Sequence, residues 1–246
     1  MKQYMPGVLS IIFWGNFAWA ETATLPPSSL RAIAIAGDAG APTFTVQSVG
    51  ATYEVRARDF ASGAVRNNVV YHRFDLSSLG DVVIQNASIR FQRVVGDTLT
   101  TGRFALYGLK DVAGNLAQNW TPETFAYGAE FDPAMFYDFV ASSGQCPVNL
   151  ANVVDFSQQE VVSGSQATVA SNELVAFLQG RLEAGGQATV ILGMPSQGAG
   201  NDKKMTFAYP GYSDPSVSVS LVVEYASAAL PPAPSNFEIS SIAFSA

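Results

Sequence analysis

The stretch YHRFDLSSLG, Tyr71 to Gly80, with NASIRFQR, Asn86 to Arg93, close behind it, decides the fold class. In the first half of each piece side chains alternate, so His72 and Phe74, then Ile89 and Phe91, share one face of a strand. Arg73, Asp75 and Arg90 take the other face. The reading predicts two strands joined by a tight turn and paired with each other.

Working outward, further short runs bounded by Gly, Pro, Asn or Asp read as strands: Thr43 to Ser48, Thr52 to Arg58, Val69 to Phe74, Ser88 to Val94, Phe104 to Leu109, Gln187 to Leu192, Lys204 to Ala208 and Ser216 to Tyr225. In the last, Val217, Val219, Leu221 and Val223 make one face wholly apolar. One helix interrupts the series. Ser171 can cap it, Glu173 falls in its first turn, Leu174, Phe177, Leu178 and Leu182 form its apolar stripe, and Gly185 with Gly186 stops it. Many short strands and one helix predict an all-β, antiparallel two-sheet jelly-roll sandwich with one short helix.

The termini divide the chain further. Residues 1–20 combine Lys2, the apolar run Val8 to Trp14 and the small-x-small ending Ala18-Trp19-Ala20, the pattern of a signal peptide for export. Residues 21–32 read as a polar, proline-bearing lead-in without core character, and 33–226 as one β-sandwich module. Residues 227–246 begin with an Ala, Pro and Ser linker, after which Phe237, Ile239, Ile242 and Phe244 either dock back on the module or, the reading favoured here, start a further one.

Composition narrows the function. A net charge of -7 with 13% charged residues argues against a nucleic-acid partner, which needs a basic face. No stretch after the leader approaches the ~20 apolar residues of a membrane helix, so no membrane span is expected in the mature chain, which is read as secreted or held at the cell surface. Cys146 is the only cysteine, so stability rests on packing and not on an internal disulfide.

Motifs of catalysis are missing. With one His and one Cys there is no HExxH, and the sequence contains no GxSxG, P-loop or dinucleotide fingerprint. His72 is read as a core residue. No cofactor is expected. Structural calcium stays open, with Asp111 to Asn115 and the pair Asn201, Asp202 as loops of oxygen donors that are read first as solvated turns.

A binding surface is suggested by alternation on the early strands. Eight of the thirteen Lys and Arg lie between Arg56 and Lys110. If Tyr53 and Val55 point inward, Arg56 and Arg58 point out with Glu54; Tyr71 and Arg73 point out from the next strand, and Arg90 and Gln92 from the one after. Guanidinium forks match carboxylate oxygens bidentately, so three neighbouring strands carrying arginine would suit an acidic polysaccharide. In the aromatic-rich stretch near Thr124 to Phe139, the Phe residues are read as core, while Trp120 or Tyr127 is left as a ring for stacking on sugar.

RFDLSSLG (Arg73 to Gly80), NASIRF (Asn86 to Phe91), FALYGLKD (Phe104 to Asp111), Trp120, ATVILG (Ala188 to Gly193) and VSLVVEY (Val219 to Tyr225) occur in the order of a known group. On them the chain resembles the DNRLRE-domain group, which includes carbohydrate-binding module family ninety-six. The resemblance implies a jelly-roll sandwich in an exported bacterial protein and, as in some members, binding of an acidic polysaccharide such as alginate beside a catalytic domain. The expected function is therefore a non-catalytic carbohydrate-binding module with Arg56, Arg58, Tyr71, Arg73, Arg90 and Trp120 as contact residues. The alternatives are a structural or adhesive surface domain without a small ligand, and a polysaccharide lyase or hydrolase using Tyr71 with Arg73.

Overall fold

Asp75 ends the deciding strand and turns the chain out of its sheet. Its Oδ1 accepts hydrogen bonds from the backbone N–H of Ser77 at 2.9 Å and from the Ser77 hydroxyl at 2.6 Å, which opens the 3-10 turn Ser77–Leu79. Leu76 and Leu79 of this turn are buried, and Gly80 leaves it at φ 72°, in the left-handed region that glycine enters without a Cβ clash.

The computed structural model describes residues 20–38, 43–47, 50–57, 64–95, 99–112, 120, 133–137, 146, 148–195, 203–209 and 217–228. Their strands are β1 (Glu21–Leu25), β2 (Ser29–Asp38), β3 (Thr43–Gln47), β4 (Thr52–Ala57), β5 (Ala64–Asp75), β6 (Val82–Gln92), β7 (Thr101–Leu109), β8 (Val153–Val162), β9 (Gln166–Val169), β10 (Gln187–Gly193), β11 (Lys203–Ala208) and β12 (Ser220–Ser227), with α1 (Asn172–Glu183) between β9 and β10. All pairings between these strands are antiparallel. They form a smaller sheet, β1-β12-β6-β9, and a larger one, β11-β4-β5-β10-β7-β8, to which β2 adds along β5 and β3 along β2. The all-β, two-sheet architecture is the one expected from the sequence.

The expected hairpin is not formed. β5 belongs to the larger sheet and β6 to the smaller, so the turn after Asp75 is a crossover between layers. Alternation holds within each of these two strands, but it says only that one face of each is apolar. Facing strands of a sandwich and paired strands of a hairpin satisfy it equally. The inward faces of β5 and β6 meet across the core, where the His72 and Phe91 ring centroids are 5.6 Å apart.

A further expectation is corrected at the N-terminal end. Residues 21–32 are not a lead-in without core character, because Glu21 to Leu25 pair along Tyr225 to Leu221 and Ala23 and Leu25 pack on the core. β2 then pairs with β5 from Ser29 opposite Arg73 to Asp38 opposite Ala64. Two strands near the helix, β8 and β9, also lie outside the runs read from the sequence.

The core has two compartments. Between the sheets lie Val70, Phe74, Ile89, Phe91, Phe104, Leu106, Val190, Phe207, Leu221 and Val223, with α1 contributing Leu174 and Leu178. A second cluster includes the alternate residues of the larger sheet: Ile33, Ile35, Val69, Tyr71, Ala105, Tyr107, Leu109 and Ile191, packed with Trp120, Phe136, Tyr137, Cys146 and Val148. Strands β7 and β10 therefore bury both faces and read as continuous apolar runs rather than alternating ones. The helix is built as expected, with Ser171 Oγ accepting from Leu174 N–H at 3.1 Å. Gly185 and Gly186 end it at φ 113° and 81°.

Candidate functional site

The expected arginine face is divided between two sheets. Arg56 lies on β4 and Arg73 on β5 of the larger sheet, whereas Arg90 is exposed on β6 of the smaller one. The division follows from the crossover after Asp75: each strand turns its apolar face to the common core, so the opposite faces look away from each other. Arg58 and Tyr127 lie outside the described residues, as do Phe125, Phe131 and Phe139. Phe136 is core, as expected.

Tyr71 does point away from the inter-sheet core, but the face it lies on is not wet. It is fully buried in the second cluster, and its hydroxyl donates to that of Tyr137 at 3.0 Å. Trp120, proposed as a stacking ring, is 2% exposed, and its indole N–H donates to Thr189 Oγ1 at 3.2 Å. Arg73 is the clamp over it. The guanidinium carbon stands 5.5 Å from the Trp120 ring centroid, Nη1 donates to the Trp120 carbonyl, and Nη2 reaches Ser29 Oγ at 3.3 Å. Burial lowers the Arg73 pKa, and the nearby Asp75 charge opposes that shift. Tyr71, Arg73 and Trp120 are thus packing residues, and the pair Tyr71 and Arg73 presents no free phenol to a substrate.

His72 is sealed in the core as expected. It is 0% exposed, with Nε2 3.1 Å from the Tyr53 hydroxyl. Burial lowers its pKa to about 3, so the ring is neutral at ordinary pH. Burial likewise pushes the Cys146 thiol up to about 12 and raises the Tyr137 phenol well above its usual range. Of the loop oxygens considered for calcium, Asp111 is ion-paired to Arg181 at 2.5 Å, and Asn115, Asn201 and Asp202 lie outside the described residues. Among the described residues no three His, Cys, Asp or Glu side chains gather to hold a metal.

One sequence candidate lines a cleft. Asn68 of β5 is paired on one side with Ala34 of β2 and on the other with Arg56 of β4. β4 touches β5 at this one register position and diverges, leaving a fork of about 480 Å3. Ala32, Ala34 and Ala36 of β2, with Asn68, line one wall, and Thr52, Glu54 and Arg56 of β4 the other, with Gln47 and Tyr53 also present. The alternation of β4 makes this possible: Tyr53, Val55 and Ala57 are buried in the inter-sheet core, so residues 52, 54 and 56 turn the other way.

Cations gather beside this cleft. Lys204 of β11 is paired in register with Arg56. Its Nζ lies 2.7 Å from Glu54 Oε1, and Arg56 Nη2 lies 3.7 Å from Glu54 Oε2. Lys204 was not singled out in the sequence; its signal is the alternation of β11, which buries Met205 and Phe207 and leaves 204 and 206 on the face of Arg56. A guanidinium, a carboxylate, two amides and a threonine hydroxyl thus line the cleft, with an ammonium paired to the carboxylate from β11, a set suited to hydroxyl and carboxylate groups.

The smaller sheet carries a second groove of about 430 Å3 beside the start of α1, lined by Asn86, Ser88, Ser171, Asn172, Val175, Val222 and Glu224 among others. Its polar groups are largely satisfied within the fold, since Asn86 donates to Glu224 at 2.8 Å and Ser171 caps the helix. Comparison with protein-family models and with curated proteins finds no match to this chain.

Proposed function

We propose that this is a non-catalytic polysaccharide-binding domain of an exported bacterial protein, and that it takes an acidic glycan such as alginate in the fork between β2, β4 and β5. The observation that carries the reading is the placement of Arg56 and Glu54 at an open cleft lined also by two amides, a threonine hydroxyl and three alanines, with Lys204 ion-paired to Glu54 from the neighbouring strand. Sugar hydroxyls need donors and acceptors together, and a uronate carboxylate adds the demand for a fork-shaped cation. Export draws on the leader-like pattern of residues 1–20.

The non-catalytic part draws on the reactive side chains. The sole histidine is neutral and enclosed, and Tyr71 is buried against Tyr137. A second reading, a structural surface domain without a small ligand, is favoured by the two-sided burial of the larger sheet. Affinity electrophoresis of the purified chain through gels holding alginate or a neutral glucan tests the proposal. Retardation by alginate alone is expected, retardation by both removes the acidic preference, and retardation by neither leaves the structural reading.

A further inference from the structure

Three charged side chains meet where β4 and β11 run side by side. Lys204 and Arg56 are directly paired in register, an arrangement in which like charges repel. Glu54 relieves it from the diagonal position, two residues along β4 and within reach of both long side chains. Its oxygens are not shared equally. Oε1 lies 2.7 Å from Lys204 Nζ, a charge-assisted hydrogen bond, whereas Oε2 stands 3.7 Å from Arg56 Nη2, inside ion-pair range but beyond a hydrogen bond. Two cations against one carboxylate leave the group one positive charge in excess, and the uneven distances put that excess at Arg56. Arg56 and Glu54 line the fork, and Lys204 meets them from the next strand.

We infer that Lys204 is a positioning residue: it holds the Glu54 carboxylate off the Arg56 guanidinium, and so leaves a carboxylate's place at Arg56 to the ligand. This rests on the proposed polysaccharide reading of the same cleft. Glu54 is then a competitor built into the site. Without Lys204 its carboxylate closes on Arg56, because a carboxylate and a guanidinium match bidentately, and its uncompensated charge repels an incoming uronate. The side chains of Arg56, Glu54 and Lys204 are 20%, 35% and 32% exposed, so solvent holds the effect to a few-fold change in affinity.

The test is calorimetric titration of the chain with alginate oligosaccharides at about 0.15 M salt, where the Debye length is about 8 Å. Lys204→Gln is expected to bind about two- to fivefold more weakly than the wild type. Glu54→Gln is expected to bind more tightly by a similar factor, since it loses the competing charge and keeps an acceptor oxygen for a sugar hydroxyl. The double variant Glu54→Gln/Lys204→Gln decides between roles. It should match Glu54→Gln, because a lysine that acts only through the carboxylate has nothing left to hold once the carboxylate is gone. A lysine that touches the glycan, or only supports the fold, would cost the same factor in both backgrounds; that result, or weaker binding by Glu54→Gln, overturns the inference and leaves the cleft as the site. Lys203→Gln, one position back on β11 and in register with Ala57, should bind as the wild type. An equal loss there reduces Lys204 to general charge attraction and also overturns the inference. Absence of wild-type binding overturns the inference and the polysaccharide reading together.

Discussion

The Tyr53 hydroxyl and His72 Nε2 lie 3.1 Å apart inside the core, and His72 Nδ1 has no hydrogen-bond partner among the described residues. The rings meet edge to face, with centroids 5.3 Å apart, and Phe91 closes the other side. An imidazolium has no place here, so burial holds the folded pKa near 3 against 6.5 for a free ring. The unfolded chain takes up the proton first. Stability contributed by the neutral ring is present above pH 6.5, is lost as pH falls below that value, and is exhausted near pH 3, at up to about 1.4 kcal/mol for each pH unit. Urea unfolding at pH 7, 6, 5 and 4 should show this slope, and His72→Phe should flatten it between pH 6.5 and 4.5. The orphaned Tyr53 hydroxyl lowers the variant's stability at every pH alike. An unchanged slope in the variant would assign the acid sensitivity to other groups.

Two glycines should respond oppositely to the same substitution. A Cβ on Gly108 would lie 2.5 Å from Phe156 Cζ and 2.8 Å from Phe177 Cε2. These two rings pack at 5.3 Å and tie α1 to the larger sheet, so neither can swing away without opening the other's contact. Gly108→Ala should cost about 1–3 kcal/mol by overpacking. Gly180 lies inside α1 with nothing within 4 Å of its added Cβ, and Gly180→Ala should stabilise by about 0.8–1 kcal/mol through helix propensity. Urea midpoints at pH 7 separate the two signs.

These relationships show what the sequence could and could not disclose. Helix α1 was legible to its caps, because Ser171, Glu173 and the glycine pair act locally. So was the inward register of β5, β6 and β12. The partner of each strand was not legible: a turn built on Asp75 and Ser77 serves a crossover as well as a hairpin, and that ambiguity split Arg73 from Arg90. The burial of Tyr71 and Trp120 does have a signal in the sequence. Val69-Val70-Tyr71 and Ala188 to Leu192 are continuous rather than alternating, the mark of strands covered on both faces. Asn68 and Lys204 become notable only through long-range pairings, of β5 with β2 and β4 and of β11 with β4.

Trp120 gives a direct probe of that second covered face. Tryptophans stand at 14, 19 and 120, so in a chain beginning at Glu21 only Trp120 fluoresces as tryptophan. With the ring 2% exposed under the Arg73 clamp, its emission should be blue-shifted and resist acrylamide. Arg73→Ala removes the guanidinium bonds to the Trp120 carbonyl and to Ser29 and should raise the quenching constant. Addition of alginate should leave the emission maximum in place, since the fork opens beside β4. Quenching as strong as that of a free indole in the unaltered chain would place Trp120 at the surface and return it to the list of sugar contacts.

Charge removal at three positions separates the fork from the face of the smaller sheet. Arg56 lines the cleft and Lys204, on β11, is ion-paired to Glu54 of its lining, while Arg90 sits exposed on β6 in the other layer. The Debye length is about 10 Å at 0.1 M salt, so a cation on the far sheet is screened from a ligand in the fork. Arg56→Gln and Lys204→Gln should each reduce retention on alginate, by up to about tenfold for the bidentate guanidinium and less for the ammonium, and the double variant should lose most of it. Raising salt from about 0.05 to 0.5 M should erase the differences between variants as the charge contribution is screened. Arg90→Gln should behave as the unaltered chain under all these conditions. If Arg90→Gln instead carries the main loss, the ligand lies on the smaller sheet, and the groove beside the start of α1 takes the place of the fork.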